Sequence, residues 1–251
     1  MDRNLVAVYR ADIEATPGGT VTDAPGVVMY RTPHGTLATN MAIVTGRIDG
    51  PTLLDLTRRT YAPRGQFSVW TREHADGALA AELPALGFHE IHREPGMVFL
   101  PGAGVPGPTP PDVAIRAVTD EAGRADYSRI MVEAFGTYGA PPDSTAEHFA
   151  TLAGVVGPST QAFLAYKNGK PVAGAMLYMA HDVGGIGWVG TLPDEFGHGY
   201  GPAVTWAVIV EGFRRGARFM NLQASPMGEP VYRRMGFVTP THYRWWFLTS
   251  E

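Results

Sequence analysis

The sequence contains no cysteine. That absence excludes disulfides, thiolate nucleophiles and Cys-based zinc sites together. Lysine is nearly missing as well: only Lys167 and Lys170 occur among 20 basic residues, the rest being arginine. With the abundance of Ala, Gly and Pro, that bias reads as GC-rich coding rather than as chemistry. There is no basic excess, and a formal charge of −4 gives no electrostatic reason to expect nucleic acid as a partner. No stretch approaches the roughly 18 apolar residues that a membrane helix needs. Residues 1–8 turn polar too soon for a secretory leader, so a soluble, cytoplasmic protein is expected. What is present suits a packed chain: 45% hydrophobic and 18% charged residues over 251 positions. That is one large domain or two small ones.

Residues 101–112 are rich in Pro and Gly and sustain neither helix nor ladder strand. They are expected to link a domain over 1–100 to one over 113–251. In the second half, 113–118 reads as a strand and Asp120 as the cap of a helix running to about Phe135. Ser144 or Thr145 could cap another, with Glu147 in its first turn. Strands 161–166 and 172–179 flank Asn168-Gly169, a strong hairpin signal. A Gly-rich strand over 185–191 follows, then a helix from Pro202 to about Arg215 ended by Gly216. Strand 218–224, a short helix 229–235 closed by Gly236, and an aromatic strand 243–248 complete the order. The first half echoes its end: strands 27–31 and 38–46, helix 52–59, strand 67–71, helix 77–86, Gly87-Phe88, strand 97–100. Helix, Gly-Phe, strand thus occurs twice, which suggests a duplicated unit.

Two glycine patterns compete for attention. Gly185-Ile186-Gly187-Trp188-Val189-Gly190 matches the dinucleotide fingerprint, but Leu192-Pro193 interrupts the helix that a true fingerprint opens. These glycines read instead as a strand whose backbone is closely approached. The second pattern, Phe196-Gly197-His198-Gly199-Tyr200-Gly201, lies between a strand and a long helix. Residues without Cβ let successive N–H groups converge there, and the helix dipole adds positive potential, which suits a diphosphate. A flexible loop with glycines by chance is the alternative in a chain with 31 glycines.

The run from Val189 to Gly201 resembles the acyl-CoA-binding motif of the GNAT family (GCN5-related N-acetyltransferases): apolar strand, Pro, then a G-x-G-x-G loop. Downstream, Ser225-Pro226-Met227-Gly228-Glu229-Pro230-Val231-Tyr232-Arg233-Arg234-Met235-Gly236-Phe237 resembles the family's second motif, N-x-x-A-x-x-L-Y-x-x-x-G-F. The resemblance covers about residues 112–248, and the first half resembles a degenerate repeat of the same fold, as in uncharacterised tandem members from actinobacteria. It implies an α/β (α+β mixed-sheet) tandem GNAT-like acyl-CoA N-acyltransferase fold. It implies acetyl-CoA or another acyl-CoA as co-substrate, no metal, and a small-molecule amine acceptor, with neither nucleic acid nor membrane as partner. Phe196 departs from the usual Arg or Gln, Ser225 from Asn and Gly228 from Ala. In the first half Gly50-Pro51-Thr52 stands where a phosphate loop would be, so that half is expected to bind no CoA.

By the same resemblance, the backbone of Val189, Gly190 and Thr191 holds the pantetheine arm and polarises the thioester. Phe196, Gly197, His198, Gly199, Tyr200 and Gly201 hold the diphosphate. Tyr232 matches the tyrosine that hydrogen-bonds or protonates the CoA sulfur, unless it is simply an amphipathic packing residue. Ser225 is a second catalytic candidate or merely a helix cap. Asp182, beside His181, is a candidate base or an ordinary turn residue. Glu133 and Tyr138 fall where the acceptor pocket is built. Arg234, with Arg233, could reach the 3′-phosphate or remain solvated. His89 and His92 lack metal-ligand spacing. Trp245 and Trp246 must face opposite sides of their strand, one toward a core and the other toward a cleft or dimer contact. The expected activity is acyl transfer to an amine by direct attack. A non-catalytic acyl-CoA sensor and thioester chemistry such as decarboxylation remain open.

Overall fold

The computed structural model describes every residue except 34, 35, 38, 62–65, 108 and 249–251. Ala38 of an expected strand and Pro108 of the expected linker therefore lie outside the described residues. The chain begins with a helix, α1 (Asp2–Ala15), that the sequence pattern does not predict. Leu5 and Ile13 are buried, but so are Asn4 and Asp12, and these polar positions break the apolar stripe that announces a helix.

Contacts divide the chain into two units. An N-terminal unit holds Asp2, Tyr9–Gly96 and Thr239–Glu251; a C-terminal unit holds Met1, Arg3–Val8 and Met97–Val238. The division falls at 96/97 and 238/239, and the 101–112 stretch lies inside the C-terminal unit. The stretch is packed there: a Cβ at Gly104 would lie 2.2 Å from the Met235 carbonyl oxygen.

The N-terminal unit runs β1 (Thr20–Ala24), β2 (Val27–Arg31), β3 (Met41–Val44), α2 (Gly50–Tyr61), β4 (Ser68–Arg72), α3 (Gly77–Glu82) and most of β5 (Phe88–Phe99). The expected helix over 77–86 breaks into α3 and a 3-10 turn, Leu83–Leu86, carrying Pro84. β1 is largely exposed and polar, which hid it from sequence reading. β3 is shorter than expected and β5 much longer, continuing through Pro95 and Gly96. Leu53, Tyr61, Leu79 and Leu83 pack on Val27, Met29, Val69 and Trp246. Trp246 is a core residue whose Nε1 donates to Thr71 Oγ1 at 2.9 Å. Trp245 is half-buried and stacks on Trp70 at 4.0 Å. Neither indole is left as an exposed dimer contact.

The C-terminal unit runs β6 (Val113–Ala117), α4 (Glu121–Gly136), α5 (Pro142–His148), α6 (Leu152–Val155), β7 (Thr160–Lys167), β8 (Lys170–Ala180), β9 (Val183–Thr191), α7 (Tyr200–Arg214), β10 (Met220–Gln223) and α8 (Glu229–Met235). β11 (Val238–Leu248) follows, and from Thr239 it belongs to the N-terminal unit, where it pairs with β4. Asp120 caps α4 by accepting from Gly123 N at 2.8 Å. α5 begins at Pro142, so Ser144 and Thr145 lie inside it rather than capping it; Thr145 is buried and its Oγ1 donates to Pro141 O. Asn168 and Gly169 both take positive φ, the geometry of a tight hairpin. α7 starts at Tyr200, two residues earlier than expected, because Pro202 fits within a helix's first turn.

β6 to β10 lie in chain order with β6 at the edge, antiparallel up to β9 and parallel from β9 to β10. Tyr127, Ile130 and Met131 of α4 join a cluster with Met176 and Tyr178, while Val204, Val208 and Ile209 of α7 join one with Ala175, Leu177 and Met220. The helix, Gly-Phe, strand echo is structural. Gly87 and Gly236 both adopt left-handed φ at a helix end, and Phe88 and Phe237 after them are both buried. Among the described residues no helix is long and apolar enough to cross a membrane.

Asn4 clamps the Arg3–Val8 stretch of α1, which belongs to this unit, to the sheet. Its Nδ2 donates to Val183 O at 3.0 Å and Tyr178 O at 3.3 Å, while its Oδ1 accepts from Asn221 Nδ2 at 2.9 Å. Asn4 is 1% exposed, so Asn4→Ala leaves Asn221 and buried carbonyls without partners. A loss of about 2–4 kcal/mol is expected, read as a lower urea midpoint. An unchanged midpoint would show that water replaces the clamp without cost.

Candidate active site

The C-terminal unit opens a cleft where β9 and β10 stop pairing. Their register runs only through Met220↔Gly184 and Asn221↔Gly185, while β9 stays bonded to β8 as far as Ala173↔Thr191. Beyond Gly185, the β9 edge toward β10 therefore has no ladder partner among the described residues. Its backbone donors and acceptors are available to an extended ligand. A bulge shapes this edge: Gly174 faces Gly190 and Met176 faces Gly187, so Ala175 opposes both Trp188 and Val189. Trp188 takes φ +48, unusual for so bulky a residue. Tyr127 Oη donates to Trp188 O at 3.1 Å, and Phe135, His148 and Phe149 surround the indole. The glycines of β9 are closely approached, as their composition suggests: a Cβ at Gly190 would meet Ala134 Cβ at 2.9 Å.

Past Thr191 the chain makes a 3-10 turn, Pro193–Glu195, and enters the glycine loop. Gly197 and Gly199 take φ +81 and +82, alternate left-handed residues that L side chains rarely tolerate. A Cβ at Gly197 would meet nothing within 4 Å, and one at Gly199 only Pro110 Cγ at 3.9 Å, so space lies open beside the loop. Gly199 is the N-cap of α7, whose first-turn N–H groups have no intrahelical acceptor. Open volume, free donors and the positive helix end suit a diphosphate. Tyr200 is buried in the α7 core, so only its backbone is available to a ligand; His198 is exposed and stacks on its ring at 5.6 Å. Phe196 is 41% exposed. It supplies no charge.

Tyr232 lies on α8, buried, with its ring packed on Phe237. Burial, reinforced by the Tyr138 phenol, pushes its hydroxyl well above the usual tyrosine range. Tyr138 is exposed on the segment after α4, and its Oη lies 3.7 Å from Met227 Sδ in the β10–α8 turn. Ser225 Oγ accepts from Gly228 N at 3.1 Å, and Ser225 O accepts from Gly228 N and Glu229 N. These bonds close the turn that leads into α8, whose N-cap is Gly228.

A model of the acetyltransferase (GNAT) family matches residues 123–237. A solved GCN5-related N-acetyltransferase from Kribbella flavida is similar over 98% of this chain and 96% of its own, with a TM-score of 0.75 at 20% identity. This chain has the GNAT fold. A tandem GNAT protein from the clavulanic acid biosynthesis pathway is similar over 96% of this chain and 89% of its own, with a TM-score of 0.66 at 13% identity. A GCN5-related N-acetyltransferase from Sphaerobacter thermophilus is similar over 88% and 80%, with a TM-score of 0.63 at 16% identity. No curated protein sequence matches the chain. The mixed sheet and tandem GNAT architecture agree with the sequence expectation.

Within the GNAT unit, the structure brings Val189, Gly190, Thr191 and the Phe196–Gly201 loop to one end of β9; Thr191 Oγ1 lies 3.3 Å from where a Cβ of Gly201 would be. Asp182 does not join them. With His181 it forms the exposed turn between β8 and β9, both residues at positive φ, at the opposite end of a nine-residue strand. At about 3.3 Å per residue, an extended strand puts it roughly 30 Å from Thr191. Hairpin geometry accounts for the positive φ of the pair. Glu133 is exposed and bonded to Arg129 at 3.2 Å. Arg233 bonds to Glu229 at 2.6 Å; Arg234 is exposed in the last turn of α8, and no described hydrogen bond ties it to the loop. His92 bonds to Glu94, and among the described residues no group of three His, Asp or Glu could hold a metal.

Two residues at the cleft escape a reading of the sequence. Lys167 Nζ donates to Glu195 Oε2 at 2.8 Å and lies 5.7 Å from the Tyr200 ring centroid, so one ammonium reaches both ends of the loop. Its bond to Glu195 raises it above the ordinary lysine range. The scarcity of lysine was the only available signal. Gln223, at the end of β10, has a buried Nε2 with no hydrogen-bond partner. Nothing in the sequence marks it.

The corresponding place in the N-terminal unit is filled by the protein's own carboxylates. Gly50 N, at the start of α2, donates to Glu82 Oε2 at 3.1 Å, and Asp49 accepts from Thr52 N at 2.8 Å. A helix end already holding two carboxylates offers a diphosphate neither donors nor positive potential.

Proposed function

We propose that the protein is an N-acyltransferase that moves an acyl group, most simply acetyl, from acyl-CoA to a primary amine of a small molecule. The observation that carries this is the separation of β9 from β10 beside a loop with two left-handed glycines at a helix N-terminus. Acyl-CoA supplies an activated thioester carbonyl. The β10-facing backbone groups of Val189–Thr191 hold the arm, and an N–H there donates to the carbonyl oxygen as negative charge develops. Losing one such donor typically costs about 100- to 1,000-fold in rate. The amine enters past Tyr138 and Met227. Its lone pair forms the C–N bond, the C–S bond breaks, the ammonium proton passes to water, and the thiolate leaves. No acyl-enzyme on sulfur is available without cysteine.

Tyr232 donates a hydrogen bond to the departing thiolate. Its hydroxyl is held far above the roughly 8.5 of a thiol, so full proton transfer is uphill and the donor role wins. Lys167 supplies the positive charge that Phe196 lacks, balancing Glu195 beside the diphosphate. Lys167→Met is expected to weaken acetyl-CoA binding about tenfold at low salt, with a smaller effect at high salt, where exposed charges are screened. Equal affinity at low salt would remove Lys167 from the site.

The experiment that tests the reading is a calorimetric titration with acetyl-CoA, followed by an amine panel read as free CoA. One bound equivalent and amine-dependent CoA release are expected. No binding ends the acyl-CoA reading. The exposed Phe196 favours one second reading, an acyl-CoA sensor, which would bind one equivalent and release no CoA with any amine.

A further inference from the structure

Trp188 occupies a place in β9 that a glycine would normally take. It opens the bulge in which two residues, Trp188 and Val189, oppose the single Ala175 of β8, and it does so at φ +48. In the bulge type whose first residue is left-handed, that residue is normally glycine. A bulky residue persists in such a conformation only where its surroundings hold it, and strain of this kind gathers at functional sites. The hold here comes from α4. Tyr127 is fully buried, and its Oη donates to Trp188 O at 3.1 Å. Phe149 bridges the two rings, 5.2 Å from that of Tyr127 and 5.0 Å from that of Trp188. Gly174 leaves room for the tyrosine, since a Cβ there would lie 2.9 Å from its ring. A trans peptide is planar, so the Trp188 C=O and the Val189 N–H are opposite ends of one rigid plate. Fixing the oxygen fixes where the N–H points. Leu192 N donates to Val172 O of β8 at 2.9 Å, and counting back by the alternation of a strand puts the Thr191 and Val189 amides on the β10 edge. Beyond Gly185 that edge has no ladder partner among the described residues.

We propose that Tyr127 is a positioning residue for acyl transfer: its hydroxyl, by holding Trp188 O, aims the Val189 N–H at the carbonyl oxygen of the bound thioester. This rests on the acyl-CoA reading above. Buried among α4 and its neighbours, Tyr127 reaches the substrate only through that peptide. Without the hydroxyl, Trp188 O loses this donor and the strained residue relaxes toward negative φ. The plate then turns and carries the N–H off the carbonyl oxygen. A donor set in place before the amine attacks polarises the carbonyl, and it counts most as negative charge develops there. The diphosphate is held elsewhere, by the glycine loop, so binding of the donor does not depend on this alignment.

The test is the infrared band of the thioester carbonyl in bound acetyl-CoA, isotope-labelled at its carbonyl carbon, in wild type and Tyr127→Phe. Calorimetry with CoA, which carries no acyl group, accompanies it. Wild type is expected to hold the band below its position in free acetyl-CoA, the mark of a hydrogen-bonded carbonyl. In Tyr127→Phe the band is expected to return toward the free position, while the Kd for CoA stays within about twofold. With an amine that supports CoA release, kcat is expected to fall about 10- to 100-fold and KM for acetyl-CoA to hold. A merely structural tyrosine would lower the melting temperature and leave the band in place. An unmoved band therefore overturns the inference while leaving the acyl-CoA site standing. A loss of CoA affinity as large as the loss in kcat also overturns it, because the whole cleft is then disturbed. So does a wild-type band at the free position, since no N–H then meets the carbonyl. If wild type binds neither ligand, the acyl-CoA reading fails first and this one with it.

Discussion

Gly199→Glu is expected to lose at least about 100-fold in acetyl-CoA affinity, below calorimetric detection. Two effects act in the same direction. Gly199 sits at φ +82, where an L residue pays about 1–2 kcal/mol. The new side chain would project into open space beside the N–H groups of the loop, bringing a carboxylate against a diphosphate. Like charges about 4 Å apart at a protein surface repel by about 4 kcal/mol. Gly199→Ala separates the terms: it carries the backbone strain without the charge and should lose only about tenfold. Near-normal affinity in the Glu variant would sink the phosphate-loop assignment. The far-ultraviolet spectrum checks that α7 still forms.

Tyr232→Phe is expected to lower kcat by about 100-fold or more, the usual cost of removing one aligned donor to developing charge. The acetyl-CoA affinity of this variant should change little, since a thioester sulfur is a weak acceptor and gains from the hydrogen bond only as it becomes a thiolate. Burial keeps the hydroxyl protonated well past neutrality, so Tyr232 supplies no limb to the rate profile below about pH 10. The same raised value favours the folded state below about pH 10, the unfolded-chain value, and that contribution fades as pH climbs toward the folded value. A variant with unchanged kcat would leave Tyr232 as a packing residue against Phe237. A fall in acetyl-CoA affinity with unchanged kcat would instead mark it as a wall of the binding cleft.

Local chemistry was readable wherever one residue dictates the backbone. Asp120 as cap, Asn168-Gly169 as hairpin and Gly236 as helix end each act through their own dihedrals or side chain, and each was found in its expected place. The glycine loop belongs to this group: spacing alone pointed to Gly197 and Gly199, and both take the left-handed conformation that only glycine adopts freely. The helix at Asp2–Ala15 was not readable, because what it buries includes Asn4 and Asp12. For Asn4, the polar choice makes sense only opposite the sheet carbonyls and Asn221 that it meets.

The sequence by itself determined the absence of thiol chemistry, the glycine loop, the helix-Gly-Phe-strand echo and the resemblance that these carry. The tertiary structure alone decided which candidates share a site. Asp182 and Thr191 are close in the chain, yet an extended strand holds them roughly 30 Å apart, at opposite ends of β9. Lys167 and Glu195, 28 residues apart, became partners beside the loop. Tyr127 acquired its meaning only once its hydroxyl was seen to hold the carbonyl of Trp188, 61 residues away in the chain. The reason is physical: dihedral preferences and capping are properties of a few neighbouring residues. Pairing across a sheet and a hydrogen bond from a helix to a strand depend on residues that the chain order does not bring together.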